Sequence, residues 1–141
     1  RKEQYGQAEA QYLEALKLND KDADVRTNLG VVYYRQGKLQ ETEKAFRAAV
    51  ALQPNDAEIR YNLGGVLVAL GRPDEAVNEF LKAKELNPSL AEAYLGLGTV
   101  YKAQGKNAQA ISALQEYLKL SQDPTWREQA TQMLRELGVK P

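Results

Sequence analysis

The chain has 141 residues, about the length of one ordinary domain. Its 19 Lys and Arg residues balance 19 Asp and Glu residues along the whole length, which argues against the basic face that nucleic-acid binding needs. Because histidine and cysteine are absent, we expect no catalytic centre, no metal site and no cofactor. No run of 18 apolar residues occurs, so membrane insertion is not expected either, and the cellular compartment is left open.

The first predicted element is a helix over residues 3–18. Its apolar residues fall on one helical stripe, at Tyr5, Ala8, Tyr12, Ala15 and Leu16. We interpret residues 1–22 as the second half of a repeat and expect the first half to precede Arg1 in a longer protein. Without that partner, the stripe would leave an apolar face exposed.

Three units of equal length follow, over residues 23–56, 57–90 and 91–124. Each is predicted to contain two helices separated by a glycine with left-handed backbone, at Gly37, Gly71 and Gly105. Pro73 is predicted to lie in the first turn of a helix. The residues expected to cap helix N-termini are Asp22, Asp56, Ser89 and Asn107.

The last helix is predicted over residues 125–138, with its register shifted by two residues. In unshifted register its inward side would be polar, whereas the shift turns Ala130, Met133, Leu134 and Leu137 inward. Thr125 and Glu128 have the spacing of a capping box. We expect the bulky Tyr117 to displace this helix. Because the outer side of the helix is polar, we also expect it to serve as the end cap of the array.

Several columns of residues recur at intervals of 34. Leu29-Gly30-x-x-Tyr33 is repeated as Leu63-Gly64-x-x-Leu67 and Leu97-Gly98-x-x-Tyr101, and Pro54 and Pro88 follow at the same interval. This pattern resembles the tetratricopeptide repeat family over nearly the whole chain, although Arg26, Arg60 and Tyr94 replace the family's early tryptophan. The resemblance implies an all-α fold, a right-handed superhelical solenoid of antiparallel helix pairs, and a non-catalytic role in binding proteins.

In such a solenoid the first helices of the repeats line the concave side, and rotation about those helices gives the groove residues. Asn28, Asn62 and Gln132 share one register, interrupted by Gly96, and amides can pair with the backbone of an extended peptide. Gly65 and Gly96 are expected to leave room in the groove floor. The full predicted site comprises Asn28, Val31, Tyr34, Arg35, Tyr61, Asn62, Gly65, Leu95, Thr99 and Gln132.

Asn28 and Asn62 resemble the asparagine ladder in the repeat domain of the O-linked N-acetylglucosamine transferase. In the present chain Gly96 interrupts the ladder. The asparagines could equally be ordinary polar groove residues, and Tyr34 and Tyr61 could brace adjacent repeats. The carboxylate clamp of chaperone-binding relatives is matched at Asn62 only, and Glu92 has the wrong charge for it. We therefore do not expect a chaperone tail to bind.

Two functions remain open. The first is binding of a peptide or helical segment of a partner protein in the concave groove. The alternative is self-assembly, in which the exposed face of the first helix, with Tyr5 and Tyr12, stacks on another copy of the chain. RNA binding is a distant third because Asp24, Glu58 and Glu92 place negative charge in the groove.

Overall fold

The computed structural model describes residues 2–140, and these residues form eight helices and no strand. The helices are α1 (Lys2–Leu18), α2 (Ala23–Arg35), α3 (Leu39–Leu52), α4 (Ala57–Ala69), α5 (Pro73–Leu86), α6 (Ala91–Ala103), α7 (Asn107–Leu120) and α8 (Pro124–Glu136). Each helix packs on its neighbours in chain order, and α4 also contacts α6 directly. The all-helical solenoid expected from the sequence is confirmed.

Glycines end the first helix of each pair. Gly37, Gly71 and Gly105 have φ values of 78°, 75° and 74°, in the left-handed region that favours glycine. After Gly37, the Lys38 amide donates to the Tyr33 carbonyl at 2.8 Å, which closes the turn as in a Schellman motif. The chain therefore reverses at the same point in every repeat.

The predicted helix caps are partly correct. Asp22 and Asp56 accept hydrogen bonds from the Val25 and Ile59 amides at 3.1 Å, as expected. Ser89 was predicted wrongly, because α6 begins one residue later and Leu90 lies at its N-cap without a side-chain bond. Asn107 was also predicted wrongly, because it is the first residue inside α7.

The capping box predicted for α8 is likewise wrong. Asp123 caps this helix by accepting from the amides of Thr125 and Trp126, at 3.0 and 3.3 Å. Pro124 then occupies the first helical position, so Thr125 already lies within the helix. An aspartate followed by proline is a stronger start signal than the Thr125–Glu128 spacing.

The residues that replace the family's tryptophan make a recurring polar contact. Arg26, Arg60 and Tyr94 each donate to the carbonyl oxygen six residues upstream, at Asp20, Pro54 and Pro88 respectively. The acceptor distances are 2.8, 3.0 and 3.0 Å. These bonds satisfy carbonyls in the turns between repeats, which explains why the fold tolerates the substitutions.

Paired glycines and aromatic rings hold the two helices of a repeat together. A Cβ added at Gly30 would lie 2.5 Å from the Phe46 ring, and one at Gly64 would lie 2.6 Å from the Phe80 ring. Phe46 and Phe80 are buried in the main core. Glycine is needed at these sites because the ring of the second helix rests directly on the backbone of the first.

The two-residue shift of α8 is confirmed by its packing. Ala130 and Leu134 are buried, and Met133 and Leu137 pack against the same cluster. Tyr117 is also buried in that cluster, in agreement with its predicted position beside the last helix. That α8 serves as an end cap stays a prediction.

The first helix is less buried than the other seven. α1 contains no buried residue, and Leu13 and Leu18 are exposed. The predicted stripe, including Tyr5 and Tyr12, is half-buried against α2. None of the helices within residues 2–140 has the length and apolar character required to cross a bilayer.

Candidate functional site

Two pockets lie side by side and share Tyr61 and Gly65 of α4. The first pocket has a volume of about 220 Å³ and the second a volume of about 380 Å³. The first pocket is lined by Val31, Tyr34, Phe46, Tyr61, Asn62, Gly65 and Val66. The second pocket is lined by Tyr61, Gly65, Val68, Phe80, Glu92, Leu95, Gly96, Thr99, Val100, Tyr117 and Trp126.

The two pockets are equivalent by the repeat. Moving each residue of the first pocket forward by one 34-residue interval gives a residue that lines the second pocket. Four residues of the second pocket have no such counterpart: Tyr61, Glu92, Tyr117 and Trp126. The solenoid thus forms the same kind of pocket twice, and the second one has additional walls.

Gly65 and Gly96 play different roles in this surface. A Cβ added at Gly65 would meet nothing within 4 Å, so the expected open floor is confirmed there. A Cβ at Gly96 would lie 2.8 Å from the Phe80 ring, so the expectation of spare room at that position is wrong. Gly96 is small because the Phe80 ring of the preceding repeat packs against its backbone.

Tyr61 links the two pockets and also braces the repeats. Its ring centroid lies 5.7 Å from that of Phe80, and the half-buried side chain packs against two core clusters. Burial raises the pKa of Tyr61 above its ordinary value, and the charge of Glu92 and the neighbouring Tyr117 raise it further. This packing supports the interpretation that Tyr61 braces adjacent repeats, and its role in binding stays a prediction.

The sequence did not point to Trp126. It lies in the first turn of α8, remains 47% exposed, and forms a wall of the second pocket. It is the chain's only tryptophan, and a half-exposed tryptophan is well suited to contacting a ligand. Its place in the pocket depends on how α8 packs beside the preceding repeat, and the sequence pattern gives no signal for that.

Two of the three amide residues that were predicted to share one register lie together. Asn28 and Asn62 line the same shallow polar depression, together with Asp24 and Glu58. Gln132 lies on the exposed side of α8, where it accepts a hydrogen bond from Arg135 at 3.5 Å. Neither Asn28 nor Gln132 belongs to the two pockets.

The other predicted residues divide in the same way. Val31, Tyr34, Asn62 and Gly65 come together in the first pocket, and Leu95 and Thr99 belong to the second. Arg35 is exposed as the last residue of α2 and lines neither pocket. Ligand binding by these ten residues stays a prediction.

Three acidic residues recur at the 34-residue interval on the helices that line these pockets. Asp24, Glu58 and Glu92 occupy the first turns of α2, α4 and α6, and all three are exposed. Negative charge is stabilised at the positive end of a helix, which explains why the column is compatible with the fold. Residues 2–140 contain no group of three or more potential ligands that could hold a metal ion.

Together, the stacked helix pairs and the two repeat-equivalent pockets define a helical-repeat scaffold. Two models of the tetratricopeptide repeat match the chain, one over residues 1–57 and the other over residues 55–123. The chain belongs to the tetratricopeptide repeat family, whose members are typically non-catalytic scaffolds for protein interaction. No curated protein sequence matches it.

Solved structures share the fold. The crystal structure of MamA is 22% identical with a TM-score of 0.79, and the match covers 94% of this chain and 86% of that one. Pseudomonas aeruginosa pilF is 26% identical with a TM-score of 0.85, covering 94% of this chain and 61% of that one. The first repeat domain of Spaghetti (RPAP3), bound to the HSP90 peptide SRMEEVD, is 21% identical with a TM-score of 0.76, covering 83% of this chain and 96% of that one.

Proposed function

We propose that the chain binds an extended or helical segment of a partner protein along its concave groove. The observation that carries this proposal is the pair of repeat-equivalent pockets meeting at Gly65. A segment crossing Gly65 could insert one side chain into each pocket, because nothing occupies the space above this glycine. Pockets that recur with the repeat suit a linear ligand whose side chains are also spaced regularly.

The surface of the first pocket is suited to contact with a side chain. Tyr34 is 52% exposed and Val31 is exposed beside it, so part of the apolar wall faces solvent. A tyrosine combines a large apolar body with a polar tip at low cost in conformational entropy. Asn28 and Asn62 would add donors and acceptors for the backbone of the segment.

The structure of the Spaghetti domain provides a relevant comparison for charge. That domain holds the peptide SRMEEVD, which carries three acidic residues and one arginine. In the present chain, Asp24, Glu58 and Glu92 border the groove. We therefore expect its partner segment to be less acidic, since like charges across an interface are unfavourable.

The proposal can be tested with Gly65→Leu. A library of 12-residue peptides displayed on phage is selected against the wild-type protein, and the Kd of each selected peptide is measured by fluorescence anisotropy. The Cβ of a leucine at position 65 would meet nothing within 4 Å, and the rest of the side chain would occupy space in the pockets, so we expect at least a tenfold weaker Kd.

Gly6→Leu is the matched control for this variant. Gly6 also lies within a helix and has nothing within 4 Å of an added Cβ, but it is in α1, outside both pockets. Affinity should be unchanged in this control. Equal affinity of the selected peptides for wild type and Gly65→Leu would exclude the groove as the binding site.

Self-association through α1 is the second candidate, supported by the exposed Leu13 and Leu18. Leu18 is 91% exposed, and Leu13 adjoins Ala10 and Leu16 in a shallow apolar depression. Light scattering over a range of concentrations tests this candidate directly. Oligomers that persist in Gly65→Leu but disappear in Leu13→Glu would support stacking through α1, and a monomer at every concentration would exclude it.

A further inference from the structure

We infer that the second pocket binds a lysine or arginine side chain of the partner segment. This inference rests on the proposed binding of a segment in the groove and specifies which side chain enters the larger pocket. The relevant walls are four aromatic rings, from Tyr61, Phe80, Tyr117 and Trp126, together with the carboxylate of Glu92.

The aromatic rings favour a cation because their faces carry partial negative charge. Trp and Tyr attract an ammonium or guanidinium group that lies within about 6 Å of the ring centroid. The chain uses this interaction elsewhere, since lysine ammonium groups lie 5.7 Å from the Tyr33 centroid and 5.8 Å from the Tyr94 centroid. In the second pocket, by contrast, no lysine or arginine is among the lining residues.

Glu92 supplies the opposite charge at the same place. It is the one ionisable acid or base among the residues that line the second pocket, apart from the two tyrosines. Glu92 and Tyr61 line the same pocket; burial is the main cause of the raised pKa of Tyr61, and the charge of Glu92 raises it further. Within residues 2–140 no lysine or arginine forms a salt bridge with Glu92, whereas Glu43 and Glu79 are each paired with an arginine.

The first pocket shows that this combination is not a general property of the repeat. Its lining contains neither a tryptophan nor a charged side chain. The equivalent carboxylate, Glu58, instead lies in the polar depression with Asn28 and Asn62. An aromatic wall and a carboxylate therefore meet in the second pocket and not in the first.

The experiment uses Trp126 as its reporter, because it is the only tryptophan in the chain. The probes are the amides of N-acetyl-lysine, N-acetyl-arginine and N-acetyl-norleucine, the last of which has an apolar side chain in place of the ammonium-bearing one. The ¹H–¹⁵N cross-peak of the indole N–H is followed during titration. We expect both cationic probes to shift this cross-peak with saturation, and norleucine to bind at least threefold more weakly.

Two charge-matched variants complete the test. Glu92→Gln should weaken the lysine and arginine probes by about threefold to fivefold. Glu85→Gln removes the same charge from an exposed position on α5 outside the pocket and should leave their affinity within a factor of two. Norleucine affinity should be the same in all three proteins.

The inference is overturned if norleucine binds as well as lysine, if both variants weaken the cationic probes equally, or if no probe moves the indole cross-peak. None of these results would by itself contradict binding of a segment in the groove. That proposal depends on the selected peptides and on their loss of affinity in Gly65→Leu. The two ideas can therefore fail separately.

Discussion

The first and second pockets are built at the same repeat positions, yet their volumes differ, at about 220 and 380 Å³. Moving forward by one repeat replaces Tyr34 with the smaller Val68 and Val31 with Gly65. Side chains that fill part of the first pocket are thus shortened in the second. A periodic backbone can offer pockets of different capacity when single residues depart from the repeat.

The second pocket also gains walls that the first does not have. Tyr117 occupies a column in which the two preceding repeats carry Ala49 and Ala83, and α8 contributes Trp126. Both changes occur beside the two-residue shift in register. The comparison teaches that the repeated positions set where a pocket lies, and that departures from the repeat, at Tyr117 and in the shifted α8, set what it is lined with.

The largest expected effect comes from Leu134→Ala, which weakens the attachment of α8 to the array. Leu134 is buried, and removing such a side chain costs about 2–5 kcal/mol. Urea unfolding followed by Trp126 fluorescence measures the change in the free energy of unfolding. Gln132→Ala, on the exposed side of the same helix, should change it by less than about 0.5 kcal/mol. Equal effects of the two variants would contradict the register assigned to α8.

The next effect tests the difference between Asn62 and Gly96. Gly96→Asn forces a side chain against the Phe80 ring, 2.8 Å from the added Cβ, and should cost about 1–3 kcal/mol. The reciprocal change, Asn62→Gly, should cost about 0.5 kcal/mol, from helix propensity. Urea unfolding of both variants checks this asymmetry. Similar losses would show that the two positions are interchangeable after all.

A smaller effect, of opposite sign, is expected at the shared floor of the two pockets. Gly65→Ala should raise the free energy of unfolding by up to about 1 kcal/mol, because alanine favours the helix and the added Cβ meets nothing. Gly64→Ala is the neighbouring control and should lower it, since its Cβ would lie 2.6 Å from Phe80. Thermal unfolding distinguishes the two. A loss of stability in Gly65→Ala would indicate that the floor is not open.

The smallest effect is the pH dependence that Tyr61 contributes. Its pKa is raised in the folded chain above the ordinary value of 10.0, so the neutral hydroxyl is favoured by folding. That stabilisation is complete below the unfolded pKa and is lost as the pH rises through the folded pKa. Tyr61→Phe should therefore reduce the fall in stability above about pH 10, as measured by urea unfolding at a series of pH values. An unchanged slope would contradict the half-buried setting of the Tyr61 hydroxyl.

Much of the scaffold could be predicted because its causes are local and periodic. The glycine that ends each first helix, the caps Asp22 and Asp56, and the inward face of α8 all follow from short sequence patterns. The groove side of α2 and α4 follows from rotation about the helix axis. That rotation predicts Val31, Tyr34 and Asn62 on one side, and the structure has all three in the lining of the first pocket.

What could not be predicted depends on contacts between repeats. The period gives no distance between Gly96 and the Phe80 ring of the preceding repeat, so the sequence alone predicts open space where the structure has a packed ring. Trp126 was missed because its place depends on how the shifted α8 meets α6 and α7. The interruption of the amide ladder at Gly96 was evident from the sequence, but the position of Gln132 away from both pockets was not.

The most direct test of the groove is a chemical-shift map of the ¹⁵N-labelled chain with a peptide selected from the library. The proposed mode predicts that the largest amide shifts cluster on α4 and α6 around Gly65 and Thr99, with a shift of the Trp126 indole. Shifts concentrated on exposed positions of α3, α5 and α7, or on α1 around Leu13, would contradict binding in the groove.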